Sequence, residues 1–179
     1  MPEVEIRPAV AEDIPMLVAI DHNYSSDYVW QMEVNRDNSL VGISFREVRL
    51  PRSVRVEYPR DYQQLEQGWE SRDGLLVATM SGEIAGYISL ALAVAPLTAW
   101  VQDLAVVRRQ RRKGIGSLLV LSGQEWALVH DARRMVLEMQ TKNYPAIHLA
   151  EKLGFDLCGY NDRYYANHDI GLFFGKSVR

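Results

Sequence analysis

The chain of 179 residues predicts a mixed α/β fold, an α+β arrangement with one central, mostly antiparallel sheet of six or seven strands and helices on both faces. Three observations predict it. Short apolar runs with turn signals between them open the chain and pair as neighbours. A strand–helix–strand–helix–strand succession follows Trp100, which calls for a crossover onto the same sheet. No repeat, linker or low-complexity tract divides residues 1–179, so one domain is expected.

Each element has its own signal. Val4 to Arg7 alternates as a short strand. Ala11-Glu12-Asp13 opens a helix through about Ile20, with Pro15 in its first turn. Residues 23–35 are hard to assign to an element. Val41 to Val48 alternates apolar and polar side chains as a half-buried strand does. Pro51 and Pro59 bracket Arg52 to Tyr58, a further extended piece or a loop. Asp61 to Trp69 reads as a short helix. Leu75 to Thr79, Ser81-Gly82 and Ile84 to Val94 form a hairpin, because glycine accepts positive φ. Trp100 to Val107 is the next strand. Ile115, Leu118, Leu119, Trp126 and Val129 fall on one predicted helical stripe. Arg134 to Gln140 is a strand, and Pro145 to Leu153 a helix stopped by Gly154. Phe155 to Tyr165 and Ile170 to Phe174 close the chain as a hairpin. The apolar Leu172 to Phe174 suits either the core or a pairing edge for a homodimer.

Composition excludes several functions. Hydrophobic residues make up 47% and charged residues 24%, ordinary for a globular protein, and the net charge of −3 does not favour coating nucleic acid or an anionic membrane. The one cysteine, Cys158, cannot support an internal disulfide framework. Met1-Pro2-Glu3-Val4-Glu5 lacks the layout of a signal peptide. The longest uncharged run, Ile84 to Val101, is broken by Gly86, Ser89, Pro96 and Thr98, so it reads as two strands and a turn and not a membrane span. A cytoplasmic protein is expected. The four histidines are scattered, no zinc spacing appears, and no metal is expected.

The stretch richest in chemistry runs from Leu104 to Leu119. A strand ends at Leu104-Ala105-Val106, basic residues follow, and Gly114-Ile115-Gly116-Ser117 opens an amphipathic helix. The first turn of a helix leaves amide donors unpaired, and its dipole adds positive potential. Arg111, Arg112 and Lys113 add charge beside them, and glycine lets the backbone approach a ligand closely. That is a pyrophosphate cradle. A solvated basic loop, or a nucleic-acid patch given five basic residues among Arg108 to Lys113, are the competing readings. It is not a nucleotide P-loop, since no Gly-Lys-Ser/Thr follows at the needed spacing. Nor is it the dinucleotide fingerprint, because Leu119 stands where the last glycine belongs.

Arg111-x-x-Gly114-x-Gly116 resembles the acetyl-CoA signature of the GNAT acetyltransferases. Asp103 to Val106 resembles the fourth strand of that family. Leu137 to Asn143 and Ala146 to Phe155 resemble its second conserved block. Together these cover roughly residues 75–165. Within the family the nearest echoes are streptothricin-type and ribosomal-protein N-terminal acetyltransferases. The resemblance implies a GNAT-like domain in which two parallel strands splay apart. The pantetheine arm of acetyl-CoA would lie in the gap against Leu104, Ala105 and Val106. The pyrophosphate would rest on Arg111, Arg112, Lys113, Gly114, Ile115, Gly116 and Ser117, and Asn143 would hydrogen-bond the arm. The implied reaction is direct N-acetylation of an amine-bearing acceptor, a small molecule or a peptide.

The chemistry needs a base, an oxyanion donor and a proton for the departing thiolate. Glu138, five residues before Asn143, is the candidate base; its bland reading is a glutamate on a solvated strand face. Asp103 is a second carboxylate, read as structural or hydrogen-bonding. Where many family members carry a tyrosine as acid, this chain has Ala150. His148 faces away from that position on a helix. Tyr160, Tyr164 and Tyr165 are the alternatives, with Tyr164 taken as the acid. Alternation would put Tyr160 and Tyr164 on one face. A CoA-binding regulatory module without efficient turnover is the rival reading. Residues 21–73 are expected to line the acceptor side.

Overall fold

The computed structural model describes residues 3–179; Met1 and Pro2, part of the amino-terminal stretch read above, lie outside the described residues. Strand β1 (Val4–Pro8) leads into a 3-10 turn and helix α1 (Ile14–Val18). Strands β2 (Tyr24–Asp37) and β3 (Leu40–Val56) follow, then the short helix α2 (Leu65–Gly68) flanked by 3-10 turns. Next come β4 (Gly74–Met80), β5 (Glu83–Ala91), β6 (Thr98–Val106) and α3 (Ile115–Val129). The chain closes with β7 (Arg134–Gln140), α4 (Tyr144–Lys152), β8 (Asp156–Asn161) and β9 (Gly171–Ser177).

Seven strands form one mostly antiparallel sheet, within the six or seven that the sequence predicts, and their order is β1-β4-β5-β6-β7-β9-β8. Strands β2 and β3 form a separate two-stranded sheet. The β4–β5 turn, Ser81-Gly82, has both residues at positive φ (54° and 78°), the twist that a two-residue hairpin requires. Residues 23–35, left unassigned by the sequence, fall largely in the first arm of the long hairpin, and β3 continues through Pro51 to Val56. Proline is tolerated there because a two-stranded ribbon has free edges. Trp30 packs on Phe174 and Phe45 on Tyr160, which fastens the hairpin to the sheet. The backbone amide of Trp30 also donates to the Thr141 carbonyl.

Helices cover both faces. Ile14 and Leu17 of α1 and Leu65 of α2 pack with Leu75, Val77, Tyr87 and Ala105 on one side. Ile115, Leu119, Val120 and Ala127 of α3 and Ile147 and Ala150 of α4 pack with Leu76, Ala78, Ile88 and Leu137 on the other. The predicted α3 stripe needs correction. Ile115 and Leu119 are buried, but Leu118 is exposed and Val129 is 81% exposed. The buried side runs through Ile115, Leu119, Val120, Gly123 and Ala127, where small residues let the helix sit close to the sheet. Leu172 and Phe174 are interior, since β9 lies between β7 and β8; the sheet edge is β8.

Among the described residues β6 and β7 are the one parallel pair in the sheet. Their pairing stops early. Thr98 to Val101 match Arg134 to Leu137, and beyond that point the strands diverge, although β6 runs on to Val106 and β7 to Gln140. A bulge accompanies the divergence, with Gln102 skipped in the register between β5 and β6.

Candidate active site

The site is the wedge between β6 and β7. At one end lies the basic loop. Arg112 and Gly114 take positive φ, 66° and 86°, and Gly114 caps α3 from that conformation. None of the six amide hydrogens from Arg112 to Ser117 finds an acceptor among the described residues. Arg112, Lys113 and Gly114 are exposed, and Gly116 and Ser117 half-buried. Six unpaired amides and two exposed cations lie in this one segment, with Lys113 Nζ donating to Gln110 Oε1 at 3.0 Å, a setting suited to an anionic ligand.

Arg111 has a different task from its neighbours. Its guanidinium donates to the carbonyls of Val106 (2.9 Å), Asn23 (2.9 Å) and Asp21. It ties the loop to the connection between α1 and β2. Burial lowers its pKa from the ordinary arginine value. Asn143 caps α4, its Oδ1 accepting from the Ala146 amide at 3.2 Å. That leaves its NH2 group for another partner. Leu104 and Val106 are half-buried toward α3, while Ala105 is buried toward α1.

At the throat of the wedge stands Glu138, the first β7 residue past the last paired position. Its side chain is 1% exposed although the residue as a whole is half-buried, so what is open there is backbone. Oε1 accepts from Nε of Arg60 at 2.9 Å and from Nη2 of the same guanidinium. Oε2 accepts from the Trp100 indole and from the Tyr164 hydroxyl at 2.9 Å. Tyr164 and Trp100 both meet Phe173 edge-on, at 5.2 Å between centroids. A Cβ on Gly171 would lie 2.6 Å from the Tyr164 ring, so only glycine leaves room for it. Burial and the adjacent Glu138 charge raise the Tyr164 pKa, which keeps the hydroxyl protonated at neutral pH.

Asp103 anchors a second cluster across the wedge. It accepts from the Tyr58 hydroxyl and from Arg72 at 3.3 Å, and Arg72 also reaches Ser89 and Gln102. Behind it, His22 Nδ1–H donates to the Ile20 carbonyl at 2.7 Å, leaving Nε2 to accept from Tyr87 at 2.8 Å. Burial lowers the His22 pKa and favours that neutral form. At the far end of β7, Tyr24 donates to Gln140, which donates to Asp169.

Glu138 and Tyr164 are thus brought together, and the loop residues are gathered at the opposite end. Tyr160 and Tyr164 do not share a face, because β8 ends at Asn161; Tyr160 turns to Phe45. His148 is exposed beside Tyr144, and Ala150 is fully buried. Arg60, Trp100, Tyr58 and Arg72 are partners that sequence reasoning did not single out. The available signal is indirect. Two carboxylates on interior strands require cations, and six arginines lie between positions 46 and 72 without a pattern that selects two.

Comparisons with known proteins identify the family and the fold. The sequence model of the Acetyltransferase (GNAT) family matches residues 43–155. A streptothricin acetyltransferase of Streptomyces lavendulae is 26% identical over 166 residues, covering 90% of this chain and 86% of that protein. An N-alpha-acetyltransferase of Sulfurisphaera tokodaii is 32% identical over 133 residues, covering 63% of this chain and 76% of that protein. The crystal structure of a putative streptothricin acetyltransferase from Bacillus anthracis, in complex with acetyl coenzyme A, superposes with a TM-score of 0.76 at 19% identity, covering 98% of this chain and 99% of that one. Among the described residues no helix is long and apolar enough to cross a membrane.

Proposed function

This chain belongs to the GNAT acetyltransferase family, and on that premise we propose that it transfers the acetyl group of acetyl-CoA directly to a primary amine through Glu138 and Tyr164. The observation that carries the reading is the placement of Glu138 at the first unpaired position of the β6–β7 wedge, with the free amides of Arg112 to Ser117 at the other end. A coenzyme held by its pyrophosphate on that loop, with its arm along Leu104 to Val106, directs its thioester toward the throat. Gly114, Ile115, Gly116 and Ser117 supply amide donors, Arg112 and Lys113 supply charge, and Arg111 holds the loop in place. Asn143 offers its NH2 group to the arm.

Each part of the reaction then has a residue. Glu138 accepts a proton from the acceptor ammonium. The freed nitrogen attacks the thioester carbonyl, gives its remaining excess proton to solvent as the carbon–sulfur bond breaks, and the thiolate needs a proton. Ala150 has none to give. Tyr164, bonded to Glu138 at 2.9 Å, supplies it and is reprotonated from the proton that Glu138 has taken. The proton thus travels from ammonium to thiolate through one hydrogen-bonded pair. Positioning of both reactants in one cleft provides much of the acceleration. The acceptor is a small molecule or a peptide amino terminus, and the streptothricin acetyltransferase likeness over most of the chain favours the small molecule.

Purified protein mixed with acetyl-CoA and a panel of small amines and peptides tests the reading. Thermal stabilisation by acetyl-CoA followed by amine-dependent release of free CoA is the expected result. Stabilisation without release identifies a CoA-binding module instead, and neither effect removes the reading altogether.

A further inference from the structure

Counting lone pairs at Glu138 leads from the transfer step to the choice of acceptor. A carboxylate offers about four acceptor sites. Four donors fill them: two nitrogens of Arg60, the Trp100 indole and the Tyr164 hydroxyl. No site remains for an incoming ammonium, so a donor must leave before Glu138 can accept its proton. The donors are held unequally. Trp100 is part of β6, and Tyr164 is wedged between Phe173 and Gly171. Arg60 comes from the connection between β3 and α2, and its side chain is 32% exposed. Its further contact is the Tyr165 ring, 5.8 Å from the guanidinium carbon to the ring centroid.

Arg60 cannot simply depart. That would leave a carboxylate 1% exposed without a counter-charge. Exchange for another cation leaves the charge balance as it was, and the Tyr165 ring offers the newcomer the same π surface. Resting on the assignment of Glu138 as base, we propose that Arg60 is a built-in stand-in for the acceptor. A cationic amine displaces it, takes its place on Oε1 of Glu138, and only then gives up a proton. The site therefore selects acceptors by positive charge at the reacting end; neutral and anionic amines fail to make the exchange.

Methylguanidinium, an unreactive cation of the right shape, tests this. In the wild-type protein it is expected to compete with the amine, raising the KM for amine several-fold while leaving kcat unchanged. In Arg60→Ala the internal competitor is gone, so inhibition should set in at about tenfold lower concentration, with a rise in Tm. If Arg60 instead positions Glu138 for catalysis, the sign reverses: methylguanidinium restores kcat in Arg60→Ala and does not compete in wild type. Restored kcat, or no competition in wild type, overturns the proposal, and the wild-type arm stands whether or not the variant folds. A wild-type protein that neither gains stability from acetyl-CoA nor releases CoA fails at the earlier reading of transfer, and this inference falls with it.

Discussion

The two ends of the wedge are built from different materials. At the end proposed for the cofactor the free donors are backbone amides from one contiguous loop, Arg112 to Ser117. At the end proposed for the acceptor every group is a side chain, and partners are far apart in sequence. Arg60 and Glu138 are separated by 78 positions, Tyr58 and Asp103 by 45. A site made of backbone is set by local conformation and fails through strain. A site made of side chains is set by the whole fold and fails through single substitutions.

The largest expected effect is at the acceptor end. Glu138→Gln should lower kcat/KM about 10²–10⁴-fold, the usual worth of a positioned acid or base, while acetyl-CoA stabilises the variant as it does the parent. An acetylation rate that falls only in step with the folded fraction would mean that Glu138 is a structural carboxylate.

At the cofactor end, Gly114→Val places a β-branched residue at φ 86°. Left-handed backbone costs such a residue about 1–3 kcal/mol, so acetyl-CoA affinity should drop roughly 5- to 150-fold if the loop relaxes away from that conformation. The KM for amine should stay put. Calorimetric titration checks the first and steady-state kinetics the second. An amine KM that moved with the coenzyme affinity would erase the distinction between the two ends.

That distinction also explains what the sequence made legible. The order of strands and helices was readable because periodicity and turn residues are local. So was the glycine-rich basic loop, whose glycines and basic residues are contiguous. Residues 23–35 were harder to read, because the polar opening Asn23 to Asp27 hides the start of β2 and only Trp30 to Asn35 alternates, while the pairing of β2 with β3 in a separate two-stranded sheet is a tertiary fact. The cage around Glu138 was not readable either. Nothing near position 60 announces a partner 78 residues on. Arg111 belongs between the cases: its place in the motif was plain, but its three carbonyl partners, two of them before β2, depend on tertiary packing.

Arg111→Met sharpens that intermediate case. Loss of its carbonyl bonds should destabilise the protein by about 2 kcal/mol, lowering Tm by roughly 4–8 °C, and acetyl-CoA should restore part of the loss. A Tm within a degree of the parent would show that the tie between the loop and Asp21 carries no weight.

The smallest effect concerns His22, behind the acceptor end. Burial lowers its pKa in the folded state, so unfolding favours proton uptake. Its contribution is complete above the unfolded imidazole value of about 6.5 and is lost as pH falls through the lowered folded value. Tm should therefore fall between pH 7.5 and 5.5, and fall less in His22→Phe. Equal slopes in the two proteins would assign the loss to other groups.

Amide NMR with coenzyme A tests the central claim most directly, because it reads the donors themselves. Titration of uniformly 15N-labelled protein should give saturable shifts that are largest at Arg112, Lys113, Gly114, Ile115, Gly116 and Ser117. Saturable binding that leaves those six amides unmoved, or no binding at all, would contradict the account.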